Sequence, residues 1–361
     1  MSPIGRPRDW HSRSLRRWSG ALALLALLAH GPDAAAAWNA TPEVIANHPT
    51  WIYTPDRSPE GGAPDGKRPL LVVLHGCGQN ATELKTFGNL AAAADEKRLV
   101  VAVPGVGLNP YGPGCWNYDL GIDASHHAAE LTQLAKTLTG RGALAIDADA
   151  VYVVGLSSGA AMSLLLGCAA PDVFAGVGAV AGPSVGSSQA AAVIDGALIP
   201  VTTVSDAIGK CQALAGGKSV FLRTQIANIA YGDMDLNGPN ARYYYQVGAT
   251  EHAGQYQLVS TKWSEDSVRA LQQIYGAGRL GGETVVQGGA AKERAAAQDG
   301  HTRIALVAIR DVGHAWPAGT GQPNSASSGG VWMAQQGLNY PSYVADWLTR
   351  NNLRSGASRQ R

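Results

Sequence analysis

Short, continuous apolar runs recur along this chain at Pro69–Leu74, Leu99–Val103, Ala150–Val154, Val173–Ala181, Gln225–Tyr231 and Arg303–Arg310. Runs of this length with no polar alternation predict strands buried on both faces. Between them, Ala81–Lys97, Ser125–Leu138 and the stretch from Ser158 to about Leu166 have helical spacing, and Ser342–Asn351 predicts a closing helix. Apolar strands separated by helices imply an α/β fold, with a mostly parallel central sheet covered by helices on both faces. The stretch Gly276–Gly300, rich in Gly and Ala with one charged cluster, reads as a surface insertion.

One strand-to-helix junction carries chemistry. Gly155-Leu156-Ser157-Ser158-Gly159 directly follows the strand Ala150–Val154 and opens an apolar helix. A serine at the tip of so tight a turn has its hydroxyl exposed, and glycines two residues to either side avoid collisions with the neighbouring strand and helix. The pattern recurs at Gly182–Gly186 around Ser184, but Pro183 restricts that turn and no docked helix follows. Ser157 is therefore the candidate nucleophile. An elbow after the middle strand narrows the fold to an α/β-hydrolase.

A serine hydroxyl needs a base and an orienting carboxylate, which in this fold follow in the order serine, acid, histidine. That order reduces nine histidines to His252, His301 and His314. His314 sits just past the last strand, where the base is delivered, and is the candidate. The acid should follow the strand Gln225–Tyr231, where Asp233 and Asp235 both stand; Asp235 lies deeper in the turn and is preferred, with Asp206 a third choice. Oxyanion donors are expected from the Ser158 N–H and from the glycine-rich loop His75-Gly76-Cys77-Gly78-Gln79, through the Cys77 N–H. His75 reads as a support for that loop.

Residues 1–37 combine a basic head containing Arg6, Arg8, Arg13, Arg16 and Arg17 with a short apolar core and small residues before Trp38, which predicts a secretory signal peptide. The expected organisation is thus 1–37 signal, 38–353 catalytic domain and 354–361 disordered tail. The mature protein is expected in the periplasm or outside the cell, with no membrane span. A net charge of +1 and only 15% charged residues argue against a nucleic-acid partner. Four widely spaced cysteines in an oxidising compartment predict two disulfides; of the three pairings open, Cys77–Cys115 with Cys168–Cys211 is favoured, because the first would tie two loops beside the serine. No metal site and no cofactor are indicated.

As a set, Leu74-His75-Gly76-Cys77-Gly78-Gln79, Cys115-Trp116-Asn117, Gly155–Met162, Gly313-His314-Ala315-Trp316-Pro317-Ala318-Gly319 and Leu338-Asn339-Tyr340-Pro341 resemble the catalytic domain of bacterial poly(3-hydroxybutyrate) depolymerases, from about Trp51 to Asn352. With the oxyanion loop before the nucleophile, the order is similar to the non-permuted type. The resemblance implies a triad of Ser157, Asp235 and His314, a polyester or other ester substrate, and a groove lined by Trp116. Trp316, beside the base, is a second groove candidate; from the residues alone either tryptophan could equally be core. Secreted relatives that attack solid polymer carry a linker and a binding domain, neither of which follows here, so amorphous polymer, oligomers or shorter esters are the expected substrates. Feruloyl or acetylxylan esterase activity is the alternative, because related secreted esterases share the same elbow and loop.

Overall fold

A computed structural model describes residues 36–55, 66–106, 114–119, 125–187, 193–194, 197–198, 202–235, 260–319 and 332–354. The predicted signal peptide up to residue 35, the tail from 355 and His252 lie outside the described residues. In chain order the strands and α-helices are β1 (Ala37–Trp38), β2 (Glu43–Ile45), β3 (His48–Thr54), β4 (Arg68–Leu74), α1 (Ala81–Phe87), α2 (Leu90–Lys97), β5 (Val100–Pro104), α3 (Ser125–Thr139), β6 (Ile146–Leu156), α4 (Ser158–Ala169) and β7 (Gly176–Val180). They continue with β8 (Val193–Ile194), β9 (Ala197–Leu198), α5 (Val204–Ala215), β10 (Ile226–Gly232), α6 (Lys262–Tyr275), β11 (Thr284–Val286), β12 (Ala291–Gln298), β13 (His301–Ile309), β14 (Trp316–Pro317), β15 (Met333–Ala334) and α7 (Tyr340–Asn351).

The central sheet runs β1-β3-β5-β4-β6-β7-β10-β13-β12-β11, with β2 paired to β3. From β5 to β13 every neighbour is parallel. Both flanks are antiparallel: β3 against β5 on one side, β12 against β13 on the other. The wholly apolar runs became the inner strands for the reason expected: β5 and β7 are buried at every position, as is β4 from Leu70 onward. α4 is buried almost all round because it crosses the middle of the sheet. This is the α/β-hydrolase fold, and it brings the C-terminal ends of β4, β6, β10 and β13 to one edge.

Two expectations are corrected. Ala81–Lys97 is two helices, not one: Gly88 caps α1, a Cβ there would lie 2.3 Å from the Leu84 carbonyl oxygen, and Asn89 takes the left-handed conformation at φ 57°. Gly276–Gly300 is not a surface insertion, because Thr284–Val286 and Ala291–Gln298 pair as β11 and β12 on the sheet edge. Alanine and charged residues have low strand propensity, so this edge owes its form to pairing with β13 rather than to its own composition.

Candidate active site

Ser157 stands between β6 and α4 with φ 54° and ψ −117°, a backbone conformation that a residue with a Cβ rarely adopts. The turn can be this tight because a Cβ on Gly155 would fall 2.4 Å from the Gly159 carbonyl carbon, and one on Gly159 would fall 2.4 Å from the Leu74 carbonyl oxygen. Ser157 is partly exposed among neighbours that are buried. Ser184, in the competing motif, is buried, and its hydroxyl meets the Trp263 carbonyl at 3.3 Å and the Ser267 hydroxyl at 3.0 Å. That serine is a packing element.

The base and acid come from neighbouring strands. His314 Nδ1 lies 3.4 Å from Asp235 Oδ2, and both side chains are almost fully buried. Their loops are sewn together by main-chain bonds, from Asp233 N–H to the Ile309 carbonyl (2.9 Å) and from Met234 N–H to the Val312 carbonyl (3.0 Å). The approach requires glycine: a Cβ on Gly232 would sit 2.1 Å from the Val312 carbonyl oxygen. Asp233, the rival acid, instead accepts the Asp311 N–H at 2.9 Å and holds the start of the histidine loop. Asp206 is exposed and belongs to a capping box with Thr203 at the start of α5, away from this edge. His301 opens β13 as an exposed residue.

The loop after β4 closes the arrangement. A Cβ on Gly76 would lie 3.3 Å from Ser157 Cβ, so this loop and the serine are in contact. The Gly76 N–H is occupied by Gln79 Oε1 at 2.8 Å, whereas among the described residues the N–H groups of Cys77 and Ser158 have no protein acceptor. Gln79 Nε2 donates to the Trp332 carbonyl at 3.1 Å, and the Trp332 ring meets the His314 ring edge-on with centroids 6.2 Å apart. Serine, donor loop and histidine thus border one small region. Among the described residues no hydrogen bond joins Ser157 to His314. A cavity of about 420 Å³ between α6 and the β10–β13–β12 face contains none of these side chains.

The family model described as Esterase PHB depolymerase matches residues 55–236, from just before the donor loop through the elbow to Asp235. The chain belongs to this family. The poly(3-hydroxybutyrate) depolymerase of Ralstonia pickettii is 31% identical over 316 residues, covering 85% of this chain and 58% of that protein. Poly(3-hydroxyalkanoate) depolymerase C of Paucimonas lemoignei is 25% identical over 283 residues, covering 78% of this chain and 63% of that one. The chain therefore spans about three fifths of the length of these two relatives. Among solved structures, an acetyl xylan esterase from Aspergillus awamori superposes with a TM-score of 0.54 at 14% identity, covering 78% of this chain and 94% of that one. At that identity the likeness shows the fold alone.

In this member of the esterase PHB depolymerase family, two expected groove residues are elsewhere. Trp116 is fully buried; its indole N–H donates to the His75 carbonyl at 3.0 Å and its ring packs against His48, His75 and His127. It braces the donor loop from beneath. Trp316 is equally buried, donating to the Gly88 carbonyl at 3.0 Å and packing edge-on against Tyr340. Among the described residues neither lines a groove, because each ring is buried and each indole N–H is satisfied inside the fold. Cysteines pair as Cys77–Cys115 and Cys168–Cys211, the first joining the donor loop to the segment that carries Trp116. Gln79 and Trp332 escaped the sequence reading. A glutamine after a Gly-rich turn offered a faint signal; Trp332 offered none, since its role depends on meeting a loop more than 250 residues earlier.

Proposed function

We propose that this chain is a serine esterase that hydrolyses 3-hydroxyalkanoate polyesters or their oligomers through an acyl-enzyme. The observation that carries the reading is the strained, accessible Ser157 beside the Cys77 and Ser158 N–H groups, on the sheet edge that also holds the buried His314–Asp235 pair. Ser157 attacks the ester carbonyl while His314 Nε2 takes its proton. The two main-chain N–H groups stabilise the tetrahedral oxyanion. The same histidine then protonates the departing alcohol, activates water against the acyl-enzyme, and returns the proton to Ser157. Asp235 holds the Nδ1 tautomer and balances the imidazolium. Trp116 supports this machinery without touching substrate. Residues 1–37 act as an export signal preceding a catalytic domain over 38–353, consistent with two disulfides.

The second reading is a feruloyl esterase. It rests on a feruloyl esterase B of Neurospora crassa that is 28% identical over 139 residues, covering 38% of this chain. One panel separates the two: release of 3-hydroxybutyrate from an amorphous polymer emulsion against release of ferulate from methyl ferulate, with Ser157→Ala as control. Labelling by a fluorophosphonate should occur in the parent and vanish in Ser157→Ala. Labelling that survives the substitution would remove Ser157 from the mechanism.

A further inference from the structure

Strand register gathers charge around an apolar floor on the face of the sheet that α6 packs against. Side chains alternate along a strand, so Leu306 and Ala308 of β13 share a face. Opposite them in register stand Arg294 and Lys292 of β12, and Tyr231 of β10 pairs with Ala308 from the other side. Ala308 is too small to fill its place between Tyr231 and Lys292. All five residues line the cavity of about 420 Å³, together with side chains from α6 and from residues 279–283. That volume lies within the range that holds small molecules.

Positive charge on this cavity exceeds negative. Its two carboxylates are matched: Glu265 pairs with Arg269 at 3.4 Å and Glu283 with Lys292 at 3.0 Å. Arg269 also reaches Asp266 at 3.1 Å. Two lining guanidinium groups are left over. Among the described residues Arg279 makes no ion pair or hydrogen bond, and Arg294 uses only its Nε, on the Gly281 carbonyl at 3.2 Å. That bond anchors the Arg294 side chain and leaves both terminal amino groups free to donate. Tyr231 is half-buried, and its hydroxyl has no partner among the described residues. Burial, then the nearby Glu265, raises the pKa of this phenol, so it remains a donor. Water satisfies an arginine on a convex surface; two arginines around one hollow with an apolar floor complement an anion that carries an apolar stem.

We propose that this cavity is a second binding site, for a carboxylate on a short aliphatic chain such as the acid end of a hydroxyalkanoate product, with Arg279 and Arg294 holding the carboxylate and Leu280 and Leu306 flanking the chain. The choice of ligand rests on the polyester reading, because hydrolysis of an internal ester leaves one new carboxylate and one new hydroxyl; the charge and shape of the cavity do not. The floor strands β10 and β13 run on into the loops that carry Asp235 and His314, yet no triad side chain lines the cavity. The site is therefore apart from Ser157.

The test is isothermal titration of Ser157→Ala protein, which leaves the ligand intact, with three probes. The 3-hydroxybutyrate dimer acid has charge and chain, its methyl ester has the chain alone, and inorganic phosphate has the charge alone. The acid should bind one per protein, and the other two at least about fivefold more weakly. Adding Arg279→Gln or Arg294→Gln should each weaken the acid by about fivefold, the upper end for a solvent-facing ion pair, with the thermal midpoint unchanged. Arg279→Lys, which keeps the charge and loses the fork, should recover part of that loss. Acid binding that ignores both substitutions would place the ligand elsewhere and overturn the proposal. So would phosphate binding as tightly as the acid, or no binding of the acid at all. Release of 3-hydroxybutyrate from polymer by the parent is scored separately: binding that depends on Arg279 in a protein that releases none would uphold the site and defeat the polyester reading.

Discussion

His75 offers a stability prediction whose sign and size follow from its surroundings. It is fully enclosed beneath the donor loop, with Nδ1 3.0 Å from the Gly76 carbonyl oxygen and Nε2 3.3 Å from the Val106 N–H. The first contact requires a proton on Nδ1 and the second a lone pair on Nε2, so the folded protein needs the neutral ring. Burial, reinforced by His48 and opposed by the Gly76 carbonyl, lowers its pKa to about 4. In the unfolded chain the ring titrates near 6.5. A lowered histidine pKa means that the unfolded chain takes up a proton first as pH falls. The stability contributed by the neutral ring is therefore intact above the unfolded value and lost as pH falls from about 6.5 towards 4. Linkage gives about 2 kcal/mol lost by pH 5 and about 3 kcal/mol by pH 4. His75→Gln preserves an acceptor for Val106 and removes the titration. Urea unfolding of parent and variant between pH 7.5 and 4.5 should show the parent the more stable at pH 7.5, with the gap narrowing by roughly 2.5 kcal/mol at the acid end. His48, His127 and Glu130 lie nearby, but they are present in both proteins, so their own contributions largely cancel in the difference. Curves that fall in parallel across this range would refute the assignment.

Further outcomes can be measured directly. Asp235→Asn should lower kcat by about 10⁴ through the wrong histidine tautomer; Asp233→Asn, whose amide oxygen can still accept the Asp311 N–H, should cost less than about tenfold. The reverse ranking in steady-state kinetics would exchange the two roles. Gly159→Ala would place a methyl carbon 2.4 Å from the Leu74 carbonyl oxygen and 2.5 Å from that of His75. We expect a loss of about 1–3 kcal/mol in calorimetry together with reduced turnover, because β4 and the donor loop must move. The two disulfides close loops of similar length, with sequence separations of 38 and 43 residues, so removing either should cost about 4 kcal/mol by loop entropy. Only Cys77→Ser with Cys115→Ser should also lower kcat, by about tenfold or more, because only that bridge adjoins an oxyanion donor. Equal turnover in the two double variants would separate the bridge from catalysis.

Much of this architecture is written locally. Strands such as Leu70–Leu74 and Val100–Val103 are apolar at every position, so burial on two faces is their stable option, and helices between them follow from connecting parallel strands. The elbow is equally local, since Gly155, Ser157 and Gly159 act on atoms within a few residues or on the adjoining strand. Other features depend on partners distant in the chain. Asp233 and Asp235 are chemically alike and one residue separates them; the register of β10 against the Ile309–Val312 segment sends one to a main-chain N–H and the other to His314. The edge strands β11 and β12 are drawn into the sheet by β13. Trp116, Trp316 and Trp332 carry the same side chain, and composition cannot say which indole N–H finds a carbonyl inside the fold and which ring stays half-buried. Packing between remote segments decides that, because burial favours a donor paired with a carbonyl, whereas an exposed donor can bond to water.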